Sequence, residues 1–522
     1  MLYSALFVPS LAASMVYASS IVNVTIGNAT VIGIHNTTLG VETFQGIKYG
    51  TAKRFQRIIP PTYNESEVIN GTFYGVACPQ IPGSNALAVD YGVYGTDEDC
   101  TLLDIYRPPN TKSEDRLPVM LWLHGGALTQ GAASHYPGYG MVAESIEIRK
   151  PIIEISINYR LAVWGFLGGV EASAHNAQNL GLYDQRAALE WVQKYISNFG
   201  GDPHAVTIFG QSSGAMSVAY HMLNTTNDLF RAAIMESGSS TSVPCLEPSY
   251  YQNVYDGIID LVGCNTTLDT FECLSTVNET TLSDAATTLY KESTIYSGRP
   301  WGVTIDGEII PDNPAYLTAQ GKLLQVPFIN GDVLDEGTIF VQPQALNTTS
   351  DLLTFVQRDY VARNASFFSN QTSEAQLLEL YPDDPALGSP YGTGNVTFWG
   401  PEFKRGAAIY GDLHFQAPRR NFLNVAVSQK ISAWSYIFDQ FITGTDAWEG
   451  VFMKFNVSDG PLYELSKQTF AYWASFANNM DPNSDCNPRW EQYTEAKNIL
   501  NITANGTGTT LIVDDYRQEQ MA

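Results

Sequence analysis

The stretch Thr207-Ile-Phe-Gly-Gln-Ser-Ser-Gly-Ala-Met-Ser217 leaves this chain few ways to fold. Ala205 to Phe209 is a short apolar run of strand type, and Ala215 to Leu223 reads as an apolar helix. Between them Gly210-Gln-Ser-Ser-Gly214 has the Gly-x-Ser-x-Gly spacing. A strand that turns straight into a helix leaves no room for side chains at the flanks of the turn, so glycine stands at both ends. Ser212, at the apex, is pushed into a strained conformation that exposes its hydroxyl, and the helix N-terminus behind it favours negative charge. A chance match in an ordinary turn is the plain alternative; the flanking strand and helix argue against it.

The rest of the chain supplies a sheet for such a turn. Leu117 to Leu123 (LPVMLWL) and Pro151 to Asn158 (PIIEISIN) are continuous apolar runs, as strands buried on both faces tend to be. Phe230 to Glu236, Val326 to Gly331 and Ala433 to Phe438 read as further strands. Leu182 to Phe199 has helical periodicity, and Tyr463 to Asn479 reads as a helix rich in aromatics. Ile21 to Leu39 reads as an early hairpin. Strands alternating with helices from about residue 117 imply an α/β fold with a mostly parallel sheet covered on both faces. The stretches roughly 240–320 and 345–430 are helix-rich with weak strand signals, and they read as cap insertions within one domain spanning 19–522. Hydrophobic content of 44% and charged content of 16% suit a globular chain with a large core.

Several features point outside the cell. Residues 1–18 read as a signal peptide: the apolar middle is too short to span a bilayer, and Val16-Tyr17-Ala18 resembles a cleavage site. A buried first strand is the alternative. Asn-x-Ser/Thr sequons recur from Asn23 to Asn505, as in a glycosylated secretory product. An even set of six cysteines favours disulfides. Cys264 and Cys273 lie close enough to close a small loop, Cys78 and Cys100 bracket another, and Cys245 and Cys486 are left over. None has zinc-site spacing, and no metal is expected. The net charge of −25 argues against nucleic acid and anionic membranes as partners. No stretch after the first looks like a membrane anchor, and oligomeric state is open.

Taken together, the motifs resemble the type-B carboxylesterase/lipase family, the α/β-hydrolase group that includes cholinesterases, in its secreted fungal form. Glu98-Asp-Cys-Thr-Leu-Leu-Asp-Ile-Tyr106, Asn158-Tyr-Arg-Leu-Ala-Val-Trp-Gly-Phe166, Asn179-Leu-Gly-Leu-Tyr-Asp-Gln-Arg186 and Phe199-Gly-Gly-Asp-Pro203 are similar to segments that lead towards the family's serine. The resemblance implies an ester hydrolase without cofactors, acting on a small-molecule or lipid ester. Ser212 would be the nucleophile, and the N–H groups of Gly126, Ala127 and Ser213 would hold the oxyanion. Glu336, in Gly331-Asp-Val-Leu-Asp-Glu-Gly337, would be the acid; a solvated surface turn is the alternative there. Gln211 and Ser213 replace the Glu and Ala usual beside the serine.

The base is missing from its expected position. Chain order demands a histidine after Glu336, and the resemblance expects it on a loop after the strand Ala433 to Phe438. Trp448-Glu-Gly-Val-Phe-Met-Lys-Phe-Asn456 occupies that place without one. A short deletion between about Val451 and Lys454 accounts for this, through a coding-sequence error or a real loss of the loop. His414, in Gly411-Asp-Leu-His-Phe415, is the one histidine after Glu336 and so the weaker candidate for the base; it precedes that strand and reads rather as a core or helix-surface residue.

Overall fold

The computed structural model describes residues 19–81, 95–223, 228–292, 300–341, 346–360, 371–397, 399–440, 461–485, 487–505 and 508–521. The expected signal peptide, the loop expected to carry a histidine and Cys486 lie outside the described residues.

Thirteen described strands build one sheet: β1 (Ser19–Ile26), β2 (Ala29–Asn36), β3 (Val41–Lys48), β4 (Val68–Asn70), β5 (Leu102–Arg107), β6 (Leu117–Leu123), β7 (Ile153–Ile157), β8 (Gly201–Gln211), β9 (Ala232–Glu236), β10 (Phe328–Val333), β11 (Ala433–Phe438), β12 (Asn498–Ile502) and β13 (Thr510–Val513). Their order is β1-β2-β3-β5-β7-β6-β8-β9-β10-β11-β12-β13, with β4 beside β2. From β7 to β12 every neighbouring pair is parallel. The pairs β1–β2, β2–β3, β3–β5, β5–β7 and β12–β13 are antiparallel, and β4 lies parallel to β2. The apolar run of β6 explains why both faces are covered. Val119, Leu121 and Leu123 enter one core, shared with the helices Leu180–Tyr195 and Ser213–Leu223. Met120 and Trp122 alternate to the other face, where Trp434 of β11 meets Trp473 and Phe476 of the helix Pro461–Asn479.

The N-terminal antiparallel strands go beyond the expected hairpin. β3 and β5 pair across a bulge between Phe44 and Ile47, where Gly46 adopts a φ of +65°. The Gly46 N–H released by the bulge donates to Asp104 Oδ1 at 2.8 Å. Two disulfides, Cys78–Cys100 and Cys264–Cys273, staple loops outside the sheet. Cys245 is a buried free thiol, its pKa pushed up to about 12 by burial. Helical insertions run between β9 and β10 and between β10 and β11. No described helix is long and apolar enough to cross a membrane.

The last insertion is anchored by charge. Arg419, on the helix Ala417–Gln429, is fully buried and donates to Asp332 Oδ2 of β10 at 3.0 Å and to both carboxylate oxygens of Asp514 at 3.0 Å. Arg420 adds a bond of 2.7 Å to Asp514. Such a pair is costly to break from one side, because the surviving charge stays buried. Arg419→Met therefore lowers stability in guanidinium denaturation by about 3–5 kcal/mol; an unchanged midpoint contradicts this account of the anchor.

Asp104 makes stability depend on pH. Burial pushes its carboxyl up to about 7, against the pull of the Gly46 N–H. The folded state thus holds this proton more tightly than the unfolded chain, where the value is about 4. Its contribution to stability is present below about 4 and is lost as pH rises to about 7. Asp104→Asn flattens that fall, as read from unfolding midpoints across the window.

Candidate active site

The site begins where β8 stops. Ser212 has a φ of +56°, rare for a residue with a side chain. Two hydrogen bonds seat it: its N–H donates to the Glu236 carbonyl at 2.8 Å, and its carbonyl accepts from Met216 N–H at 2.9 Å. The flanking glycines are required by contact. A Cβ on Gly214 would lie 2.0 Å from the Leu123 carbonyl oxygen, and one on Gly210 would lie 2.6 Å from it. The turn is therefore pressed against the end of β6.

The chain leaving β6 makes a second tight turn beside it. Gly126, Ala127 and Leu128 have φ values of +109°, +56° and +61°. Consecutive positive φ in residues with side chains is the kind of stored strain that clusters at working sites. Leu128 N–H donates to Ser213 Oγ at 3.3 Å. The N–H groups of Thr129 and Gln130 donate to the Gly126 carbonyl at 3.0 and 3.1 Å. None of these bonds uses the N–H groups of Gly126 or Ala127. His124 supports the turn from behind: its ring stacks on Tyr159 with centroids 4.3 Å apart, and Nδ1 bonds the Gly125 carbonyl at 2.8 Å. Burial lowers its pKa to about 3, so it is neutral.

Ala127, Ser212 and Ser213 line one cavity of about 660 Å³, mouth included. Gly126 adjoins it without lining it. Most of the wall is apolar: Met216, Tyr220, Tyr251, Trp301, Phe340 and Phe415. Several of these come from the helical insertions, whose sequence carries no local signal for a pocket.

Glu336 does not line the cavity. The strand register sets Gln211, Glu236 and Gly331 side by side, so β8, β9 and β10 end at one edge. Ser212 follows the first, Ser237 the second, and Glu336 stands in the turn after the third. Glu336 is buried; its carboxylate accepts from Val333 N–H at 3.0 Å and from the Ser237 side chain. The solvated-turn alternative is therefore set aside. Burial, then the charge of Asp332, pushes its carboxyl well above the usual carboxylate range. A Cβ on Gly337 would lie 1.9 Å from the Ala407 carbonyl oxygen, so the turn is wedged against the helix Phe403–Gly411.

His414 is buried and also lines the cavity. It lies on a single wide turn of π-helix, Asp412–Gln416, between the helices Phe403–Gly411 and Ala417–Gln429. The widening has a local cause. Pro418 has no N–H and its ring would clash with the carbonyl four residues back, which is that of His414.

A serine elbow at the C-terminal edge of a mostly parallel sheet, walled by helices, defines an α/β-hydrolase. Comparison with known proteins narrows the class. The carboxylesterase family model matches residues 18–521, and the chain belongs to that family. It is 35% identical over 540 residues to lipase 2 of Geotrichum candidum, covering 94% of this chain and 93% of the relative. It is 36% identical over 532 residues to secreted lipase 1 of Botryotinia fuckeliana, covering 94% and 90%. Its fold superposes on the crystal structure of Aspergillus niger EstA with a TM-score of 0.81, at 24% identity and with 95% and 96% of the chains covered.

The elbow itself is open to test. Gly214→Ala forces the turn away from Leu123, and over-packing of this kind costs about 1–3 kcal/mol. The variant unfolds at lower denaturant than the unsubstituted protein; an unchanged midpoint shows that the turn is less tightly seated than described.

Proposed function

We propose that the chain is a secreted serine carboxylic-ester hydrolase working through an acyl-enzyme on Ser212. The observation that carries this reading is the presence of Ser212 on the wall of an apolar cavity beside Ala127 and Ser213. In this reading Ser212 Oγ adds to the ester carbonyl carbon, and charge gathers on the carbonyl oxygen. The N–H groups of Gly126, Ala127 and Ser213 donate to that oxygen, and one such donor is typically worth about 3 kcal/mol of barrier. Glu336 is the acid of the set, held in place by Ser237 and Val333. No step requires a metal or organic cofactor.

The aromatic lining suits an ester with a hydrophobic acyl part, and relatives named lipases support a lipid or small-molecule ester as substrate. In the same reading the helical insertions form a cap over the cavity, residues 1–18 direct secretion, and the sequons carry glycans. A relative named as a secreted lipase supports that location.

A second reading has one observation in its favour. Of the seven histidines, only His414 follows Glu336. With no base near Ser212, the chain would be a catalytically impaired α/β-hydrolase-fold glycoprotein that serves as a binding module. Removing a triad member leaves only about 10³–10⁴-fold acceleration over water. A fluorophosphonate probe and a p-nitrophenyl ester separate the readings. The hydrolase reading expects a mass adduct on Ser212 and turnover, both lost in Ser212→Ala. An adduct without turnover favours the impaired enzyme, and neither favours the binding module.

A further inference from the structure

A second cavity, of about 750 Å³ with its mouth, shares the helix Phe403–Gly411 with the first. Arg405 and Ala408 line it, whereas Tyr410 of the same helix lines the Ser212 cavity. Its other walls come from the end of the helix Gln371–Leu380, the turn from Pro382 to Tyr391, and Arg517 and Gln520 near the C-terminus. No lining residue is common to the two cavities. We propose that this second cavity binds an amphipathic carboxylate, such as a medium-chain fatty acid anion. The head sits on Arg517 and the chain lies against Leu380, Leu387 and Ala408. Binding there requires nothing of Ser212.

The head is fixed by a guanidinium that the fold holds in one plane. Arg517 Nε and Nη2 donate to Asp412 Oδ1 at 3.0 and 2.7 Å. Its Cζ lies 4.2 Å from the ring centre of Tyr391 and 4.9 Å from that of Tyr516, so aromatic faces bracket the cation. A guanidinium is a planar fork, and the N–H groups of Nη1 therefore point away from the edge that Asp412 occupies. Among the described residues none accepts from Nη1. A rigid, charged donor edge on a cavity wall matches a carboxylate oxygen. Tyr391 also lines the cavity, and its hydroxyl is buried with no hydrogen-bond partner among the described residues. A buried hydroxyl left unpaired is costly, and an oxygen of the bound head or of its water relieves it.

The neighbouring charges are already matched, so they do not repel an incoming anion strongly. Asp412 accepts from the Tyr381 hydroxyl at 3.0 Å as well as from Arg517. Arg405 donates to Glu402 at 3.4 Å and to the carbonyls of Leu378 and Tyr381. Asp384 is the one acid among the described lining residues; it is exposed, where solvent screens it, and its Oδ1 accepts from Ala386 N–H at 2.9 Å. The volume lies within the range of ordinary small-molecule sites, and the mix of apolar wall with few polar groups is theirs too.

Isothermal titration calorimetry of the full-length protein with octanoate is expected to show saturable binding. Octanol, which lacks the charge, and acetate, which lacks the chain, are each expected to bind at least roughly tenfold more weakly. Arg517→Lys keeps a cation for Asp412 but removes the second edge, and Ala386→Trp fills the mouth from an exposed position on the wall. Each is expected to weaken octanoate by about 10–100-fold. Thermal unfolding shows whether each variant is folded, and Ala386→Trp decides the matter if Arg517→Lys is not. No octanoate binding, unchanged affinity in a folded variant, or octanol or acetate bound as tightly as octanoate overturns the assignment. The readout needs no ester turnover, so a failure here leaves the hydrolase reading intact, and a failure of that reading leaves this site standing.

Discussion

The structure depends on the close approach of two backbones. The end of β6 and the elbow after β8 touch at the Leu123 carbonyl, with glycine at positions 210 and 214 because nothing larger fits. Strong packing in the sheet makes this approach affordable. Leu123 pairs with Gly210 in the parallel ladder, and the two cores hold β6 from both faces. The strain at Ser212 and at Ala127 is thus over-determined by burial around it, which is the condition under which such conformations persist.

Everything else in the site is arranged about that contact. Three adjacent parallel strands end in line and deliver Ser212, Ser237 and Glu336 to one edge. The insertion after β10 returns along the helix Phe403–Gly411, wedges against Gly337 and widens over Asp412–Gln416, just before Pro418, where His414 reaches the cavity. The helix beyond is pinned to β10 by Arg419 and Asp332. Burial acts in one sense on the ionisable groups, raising an acid and lowering a base: it holds Glu336 towards its neutral form and keeps His124 neutral. Protein interiors favour uncharged groups unless a partner compensates.

Much of this was legible in the sequence where the signal is local. The elbow needed only a strand, two glycines and a helix in succession. The parallel strands announced themselves as unbroken apolar runs, because both faces are covered. The Gly331 to Gly337 turn was readable as the end of a strand. What escaped was set by distant contacts. β3 and β5 alternate little and draw their order from each other across a bulge. His414 lies in an unremarkable helical stretch, and its direction follows from a π-turn and from a carbonyl 172 residues away. The aromatic wall comes from insertions whose periodicity is that of any packed helix. Pro418, four residues after a histidine inside a helix, was the one local clue.

The central claim is that the Ser212 hydroxyl faces a carbonyl-sized space bounded by main-chain donors. A crystal structure of the protein after reaction with a diethyl phosphate ester of p-nitrophenol tests this most directly. The account predicts phosphorus bonded to Ser212 Oγ, with the phosphoryl oxygen about 3 Å from the N–H groups of Ala127 and Ser213. An unmodified serine, or an adduct whose phosphoryl oxygen turns away from both, would contradict it.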